Sequence, residues 1–184
     1  ENAHQTADAL VDANGDGVPE LFLGGGVGQS DALYQFKEGA FIDISAQSGL
    51  TKEGNDPTYG AATIDATKDG RIDLFVARES GIYLYANNGG TFVGKKLAVA
   101  FNDKSVPMSF ALADLNNDGW IDMYVPAYLP KSKMEGMNIF NKEGYGATSV
   151  MLLNNGDNTF KDITKESGLE YVHNSFQGVF VDLD

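Results

Sequence analysis

Asp114-Leu-Asn116-Asn-Asp118-Gly119-Trp120-Ile-Asp122 decides how this chain is read. Oxygen-bearing side chains stand at positions 1, 3, 5 and 9 of the stretch, and glycine stands at position 6. The same formula occurs in Asp12-Ala-Asn14-Gly-Asp16-Gly17-Val18-Pro-Glu20 and in Asp65-Ala-Thr67-Lys-Asp69-Gly70-Arg71-Ile-Asp73. It begins a fourth time at Asp182-Leu-Asp184. The first residues of the four copies are 53, 49 and 68 residues apart. A recurrence near ~50 residues, built from short apolar runs, is the mark of a propeller blade of four strands. Helix-pair repeats need long stretches of 3.6-residue periodicity, and none occurs.

Each unit reads the same way. A short apolar run enters the turn at Ala9–Val11, Ala61–Ile64, Phe110–Ala113 and Gly178–Val181. A second run leaves it at Leu21–Leu23, Leu74–Val76 and Met123–Val125. A third strand is expected at Ala32–Phe36, Ile82–Ala86 and Val150–Leu153. Gly/Asn-rich hairpins follow, and the fourth strands open on Phe41, Phe92 and Phe160. The expected fold is all-β, with three blades of four antiparallel strands plus the first strand of a fourth. Blade 1 spans about 6–50, blade 2 about 59–99 and blade 3 about 108–169 with an insertion at 126–149; blade 4 starts at about 176–184. All of this is expected to form one partial propeller domain over 1–184.

The turns suit Ca²⁺, a hard cation that takes ~6–8 oxygen ligands. Side chains 1, 3 and 5 face the ion, and position 9 returns a carboxylate. Position 7 offers its backbone carbonyl, so its side chain is free to vary, as Val18, Arg71 and Trp120 do. Glycine at position 6 permits the reversal. An EF-hand starts with the same letters but needs Glu at position 12 and flanking helices. Position 12 here is Leu23, Val76 or Val125, and the flanks read as strands. The plain alternative is an Asp/Asn/Gly turn without metal. Three full copies with the acid fixed at position 9 favour the metal.

The residues from Gly60 through Val76, from Met108 through Val125, and in the Leu152-Leu-Asn-Asn-Gly-Asp-Asn-Thr-Phe160 run resemble the FG-GAP/VCBS repeats of integrin-α-like β-propellers. The resemblance is closest to the cartilage-acidic-protein type associated with ASPIC/UnbV segments. It covers nearly the whole chain outside 126–149. It implies about three Ca²⁺ ions in the hairpins between first and second strands, with a fourth site truncated. The implied ligands are Asp12, Asn14, Asp16, Val18 and Glu20; Asp65, Thr67, Asp69, Arg71 and Asp73; Asp114, Asn116, Asp118, Trp120 and Asp122; and Asp182 with Asp184. Thr67 departs from the pattern, as does blade 2, which lacks the tail seen in Phe41-Ile-Asp43-Ile-Ser45 and Phe160-Lys-Asp162-Ile-Thr164. Asp43 and Asp162 read either as an extra ligand or an acid, or as holding the strand end by local hydrogen bonds; the last is expected, because blade 2 does without them.

Bulk properties narrow the partners. The formal charge is −13 with 13 Lys and Arg, so no basic surface for nucleic acid can be assembled. Three bound dications would bring −13 to −7. There is no cysteine, which excludes disulfides, thiolate metal sites and cysteine nucleophiles. No run is long enough for a membrane-inserted helix. The absent signal peptide and the interrupted fourth turn lead us to expect a processed form or a piece of a longer protein.

The expected function is a calcium-stabilised binding or structural propeller that engages protein or glycan, with self-assembly as a further option. Its expected place is secreted, extracellular or at the cell surface, with the periplasm also open. The alternative is the non-catalytic propeller portion of a larger secreted enzyme of polysaccharide lyase or phospholipase type. No nucleophile elbow is present, His4 and His173 lie far apart, and Asp31, Asp56, Glu79, Asp103 and Glu135 show no pairing in sequence. In a four-stranded meander, turns 1–2 and 3–4 share one end and loop 2–3 lies at the other. The metal turns and the 126–149 insertion, with Pro130, Met134, Met137, Phe140 and Tyr145, are therefore expected at opposite faces. That insertion reads equally as a binding loop or a self-packed one. Partners are expected on its face, which the connector 51–59 should share.

Overall fold

In the computed structural model residues 7–50, 55–134 and 145–183 are described. The chain divides into two compact units, residues 1–97 and 98–184. The first unit holds two four-stranded antiparallel sheets. One runs β1 (Asp8–Val11), β2 (Glu20–Leu23), β3 (Ala32–Lys37) and β4 (Ala40–Asp43), followed by a four-residue helix, Ser45–Ser48. The other runs β5 (Thr58–Ile64), β6 (Asp73–Arg78), β7 (Gly81–Asn87) and β8 (Phe92–Lys96). In both, strands follow sequence order, which is the meander of a propeller-type blade.

The second unit holds a two-stranded pair, β9 (Val106–Pro107) with β12 (Ala127–Tyr128), and a third meander. That meander runs β10 (Ala111–Ala113), β11 (Asp122–Val125), β13 (Val150–Asn154) and β14 (Phe160–Asp162). Registers repeat between sheets. Phe36 faces Phe41, Asn87 faces Phe92 and Asn154 faces Phe160 as equivalent pairs of third and fourth strands.

Alternation along the strands builds the core of the first unit. Val11, Phe22 and Leu33 of the first sheet are buried against Leu74, Val76, Tyr85 and Phe92 of the second. The chain leaving β4 joins this core. Gly49 has φ +74°, and a Cβ there would stand 2.3 Å from the Phe92 carbonyl oxygen. Only glycine lets the chain turn and pass so close to β8. Leu50 then packs against the shared core. Full burial of one such aromatic or aliphatic side chain contributes about 1.5–3 kcal/mol.

The structure corrects the expectation of a fourth first strand. Gly178–Val181 carries the letters of an entering strand but forms no strand, and Val179, Val181 and Leu183 are exposed. A strand needs a partner for its amides and carbonyls, and the apolar run finds none among the described residues. The β9–β12 pair and the short helix after β4 are additions to the sequence reading. The described ends of the 126–149 insertion pack on their own unit. Ala127, Leu129 and Ala147 are buried, Ser175 N donates to Ala127 O, and Tyr128 stacks on Phe176 at 4.6 Å between ring centroids. Pro130 is buried, Met134 is exposed, and Tyr145 donates through its hydroxyl to Lys133 O. Glu135, Met137 and Phe140 lie outside the described residues, as do His4, Asp184 and the connector residues 51–54.

Candidate metal-binding turns

The three turns share one hydrogen-bond plan. The position-1 carboxylate reaches across and accepts backbone amides from the far side of the turn. Asp12 takes Gly15 N and Gly17 N, Asp65 takes Asp69 N and Gly70 N, and Asp114 takes Asp118 N and Gly119 N, at 2.8–3.1 Å. The position-5 carboxylate accepts the position-7 amide: Asp16 from Val18, Asp69 from Arg71, and Asp118 from Trp120. Glycine at position 6 sits at φ +83°, +85° and +82° in Gly17, Gly70 and Gly119. That left-handed conformation is why the motif fixes glycine there.

Position 9 behaves differently. Glu20, Asp73 and Asp122 are 1%, 0% and 0% exposed. Each accepts the position-2 amide at 2.8–2.9 Å: Ala13 for Glu20, Ala66 for Asp73 and Leu115 for Asp122. Asp73 also accepts Thr67 N, and its other oxygen accepts Asn87 N. Asp122 likewise accepts Asn154 N. The residue read only as a ligand is thus also the buried acceptor that ties the turn to the third strand. In the first sheet the longer Glu20 is met by Gln35 Nε2 at 3.5 Å and by Asn14 Nδ2 at 3.2 Å.

The donor set fits a hard cation. Asn14 and Asn116 touch the position-5 carboxylate through Nδ2 at 3.0 and 2.8 Å, so positions 3 and 5 already converge. In the second turn Thr67 Oγ1 is buried and has no hydrogen-bond partner. A buried hydroxyl oxygen without a partner, on a residue of a carboxylate-rich turn, has the chemistry of a hard-cation ligand. Each turn combines three carboxylates with a neutral side-chain oxygen, although among the described residues no three His, Asp or Glu side chains gather into a preformed metal cluster. The inward commitment of position 9 accounts for that: only positions 1 and 5 hold carboxylates at the surface of each turn. Val18 is exposed, Arg71 reaches Asp69, and Trp120 packs beside Gly156 with Nε1 3.4 Å from where a Cβ would stand. Asp182 is exposed in the segment that forms no strand.

Asp43 and Asp162 have the local role. Asp43 accepts Ser45 Oγ and Ser45 N, and these bonds, the hydroxyl's first, hold its carboxyl below the ordinary range. Ser45 Oγ in turn accepts Leu33 N. Asp162, Thr164 and Met151 N repeat the arrangement.

Two features escaped the sequence reading. Asn87 and Asn154, which end the third strands, are buried and bond on two sides. Their Nδ2 groups donate to Ile72 O and Ile121 O, and their Oδ1 atoms accept Gly90 N and Gly156 N. Their recurrence at one register was the available signal. The second is the buried pair of Asp31 with Arg78 at 2.6 Å. Asp56 accepts from Ser80, Tyr59 donates to Glu79, and Lys133 pairs with Asp103, so these carboxylates are partnered in space. Burial first, and then Glu79, push the Tyr59 hydroxyl upward in pKa.

At the other end of the second sheet, beside the β6–β7 hairpin, lies an open depression of about 460 Å³. It is lined by Asn55, Asp56, Pro57, Glu79, Ser80 and Tyr83. Among the described residues no helix is long and apolar enough to cross a membrane.

No curated protein matches the chain. A solved structure described by the recognition of non-reducing terminal N-acetylglucosamine by an Agrocybe aegerita lectin is similar at a TM-score of 0.43 and 17% identity. The match covers 88% of this chain and 52% of that one, so this chain spans about half its length. The model of the FG-GAP-like repeat matches residues 12–76 and 65–125, the stretches that contain the three turns and the strands leaving them. This chain belongs to the FG-GAP-like repeat family.

Proposed function

We propose that this chain is a calcium-stabilised extracellular binding module, of the cartilage-acidic-protein type of FG-GAP propeller, whose metal serves the fold and whose recognition surface lies at the opposite ends of the sheets. The observation that carries the metal reading is the shared plan of three turns around mixed carboxylate and neutral oxygens, with the unpartnered Thr67 hydroxyl inside one of them. In each sheet strand order puts turn 1–2 and loop 2–3 at opposite ends, and the depression at Asp56, Glu79 and Tyr83 lies at the second. Carboxylates beside a tyrosine ring suit a glycan or a protein loop as ligand.

Extracellular modules bind Ca²⁺ with Kd of about 10⁻⁴–10⁻³ M. At about millimolar free Ca²⁺ each site then adds on the order of 0.5–1.5 kcal/mol. Calorimetric melting with Ca²⁺ and with excess EDTA tests the reading. Chelation is expected to lower Tm by roughly 5–10 °C, given about 2–4 °C per kcal/mol for a chain of this size. Superimposable melts in the two buffers would overturn it.

A further inference from the structure

The three turns differ in one respect that bears on how each holds a cation. The first, residues 12–20, and the third, residues 114–122, each carry three carboxylates and no basic residue. The second, residues 65–73, carries three carboxylates together with Lys68 at position 4 and Arg71 at position 7. Arg71 does not point away. Its Nη2 meets Asp69 Oδ2 at 2.5 Å, and its Nε donates to Asn87 O at 2.8 Å. In the other two turns the matching position-5 oxygen accepts the neutral amide of Asn14 or Asn116. Thr67 replaces that amide in the second turn and makes no bridge to Asp69.

We infer that Arg71, supported by Lys68, is a tethered cation for the second turn. It makes this turn the weakest of the three calcium sites and the one that keeps its fold when calcium is removed. The inference rests on the calcium reading above. Exposed ion pairs are weak when both chains must be immobilised. Here the bond to the Asn87 carbonyl fixes the guanidinium beside Asp69 in advance. An incoming dication must separate that pair and also meets two positive charges within the turn. Repulsion at such range is worth about tenfold in affinity even in a water-like dielectric. The same charges remove the carboxylate repulsion that destabilises an empty turn.

Two measurements on the full chain test this. In calorimetric titration with CaCl₂, two tighter sites and one about tenfold weaker are expected, and Arg71→Met should bring the weak site to within about threefold of the others. In hydrogen exchange of the unmutated chain with and without EDTA, amides of residues 12–20 and 114–122 should lose protection while those of 65–73 change least. Three equal sites in the unmutated chain, an unchanged weak site in Arg71→Met, or equal loss of protection in all three turns would each overturn the inference and leave the calcium reading standing. Absence of binding heat together with unchanged exchange in every turn would overturn both.

Discussion

Asp31 and Arg78 are 47 residues apart, with side chains 1% and 3% exposed, and they join the loop after β2 to the end of β6. Asp31 also accepts Gly25 N and Thr58 Oγ1 at 2.8 Å. The Arg78 guanidinium lies 4.7 Å from the centroid of the Tyr83 ring. Burial alone would lower the arginine's pKa, and the Asp31 carboxylate overrides that, so the guanidinium stays charged. A buried pair of this kind adds little when compared with an apolar replacement, yet losing one member leaves the other charge stranded. Asp31→Asn is therefore expected to cost about 3–5 kcal/mol in urea unfolding. The double variant Asp31→Leu/Arg78→Met, which strands no charge, should be markedly more stable than Asp31→Asn. A loss below about 1 kcal/mol in the single variant would remove the pair from the list of groups that hold the two sheets together.

Within each blade the element that matters is the coupling of the first hairpin to the second. Asn154 carries it in the third sheet. Its amide donates to Asp122, its Nδ2 to Ile121 O, and its Oδ1 accepts from Gly156 and Asn158. Asn154→Ala keeps the first bond and loses the others, which leaves half-buried backbone groups without partners. The expected cost is about 1–3 kcal/mol. Exchange of the Gly156 and Asn158 amides should accelerate more than that of the β11 amides; uniform acceleration would show that the side chain supports the whole unit and not this coupling. The first sheet solves the same problem with Glu20 and Gln35, while Phe36, in the register of Asn87, is 47% exposed and packs on Phe41. These facts show what was readable in the residues. The turns with their glycine at position 6 were legible because that chemistry is local, and so were the strands beside them. The inward role of Asp73 and Asp122 was not, because the letters expected to ligate a cation are the same ones that cap backbone amides. Gly178–Val181 misled for the opposite reason: its pattern is that of β1, but a strand depends on a neighbour that no local pattern supplies. Asp31 and Arg78 left no mark in sequence, since only the packing of two sheets brings them together.

At the scale of the molecule the net charge of −13 and the turns are one problem. Nine of the 26 acidic residues stand in the three complete turns, where they crowd within a few residues of one another. Self-repulsion of this kind opposes the compact state and is relieved either by a bound cation or by screening. The two routes should substitute for each other. In EDTA, raising NaCl from about 10 mM to about 500 mM shortens the screening length from roughly 30 Å to a few ångströms and is expected to raise Tm by several degrees. With saturating Ca²⁺ the turns are already neutralised on site, so the same change of salt should move Tm by less than half as much. Chloride is the right anion, because sulfate would strengthen apolar burial and blur the comparison. Arg71→Met should steepen the salt dependence in EDTA, since it removes the positive charge that the second turn keeps against Asp69. Equal salt slopes with and without calcium would place the repulsion outside the turns, on the general surface, and would separate the acidity of this chain from its repeated motif.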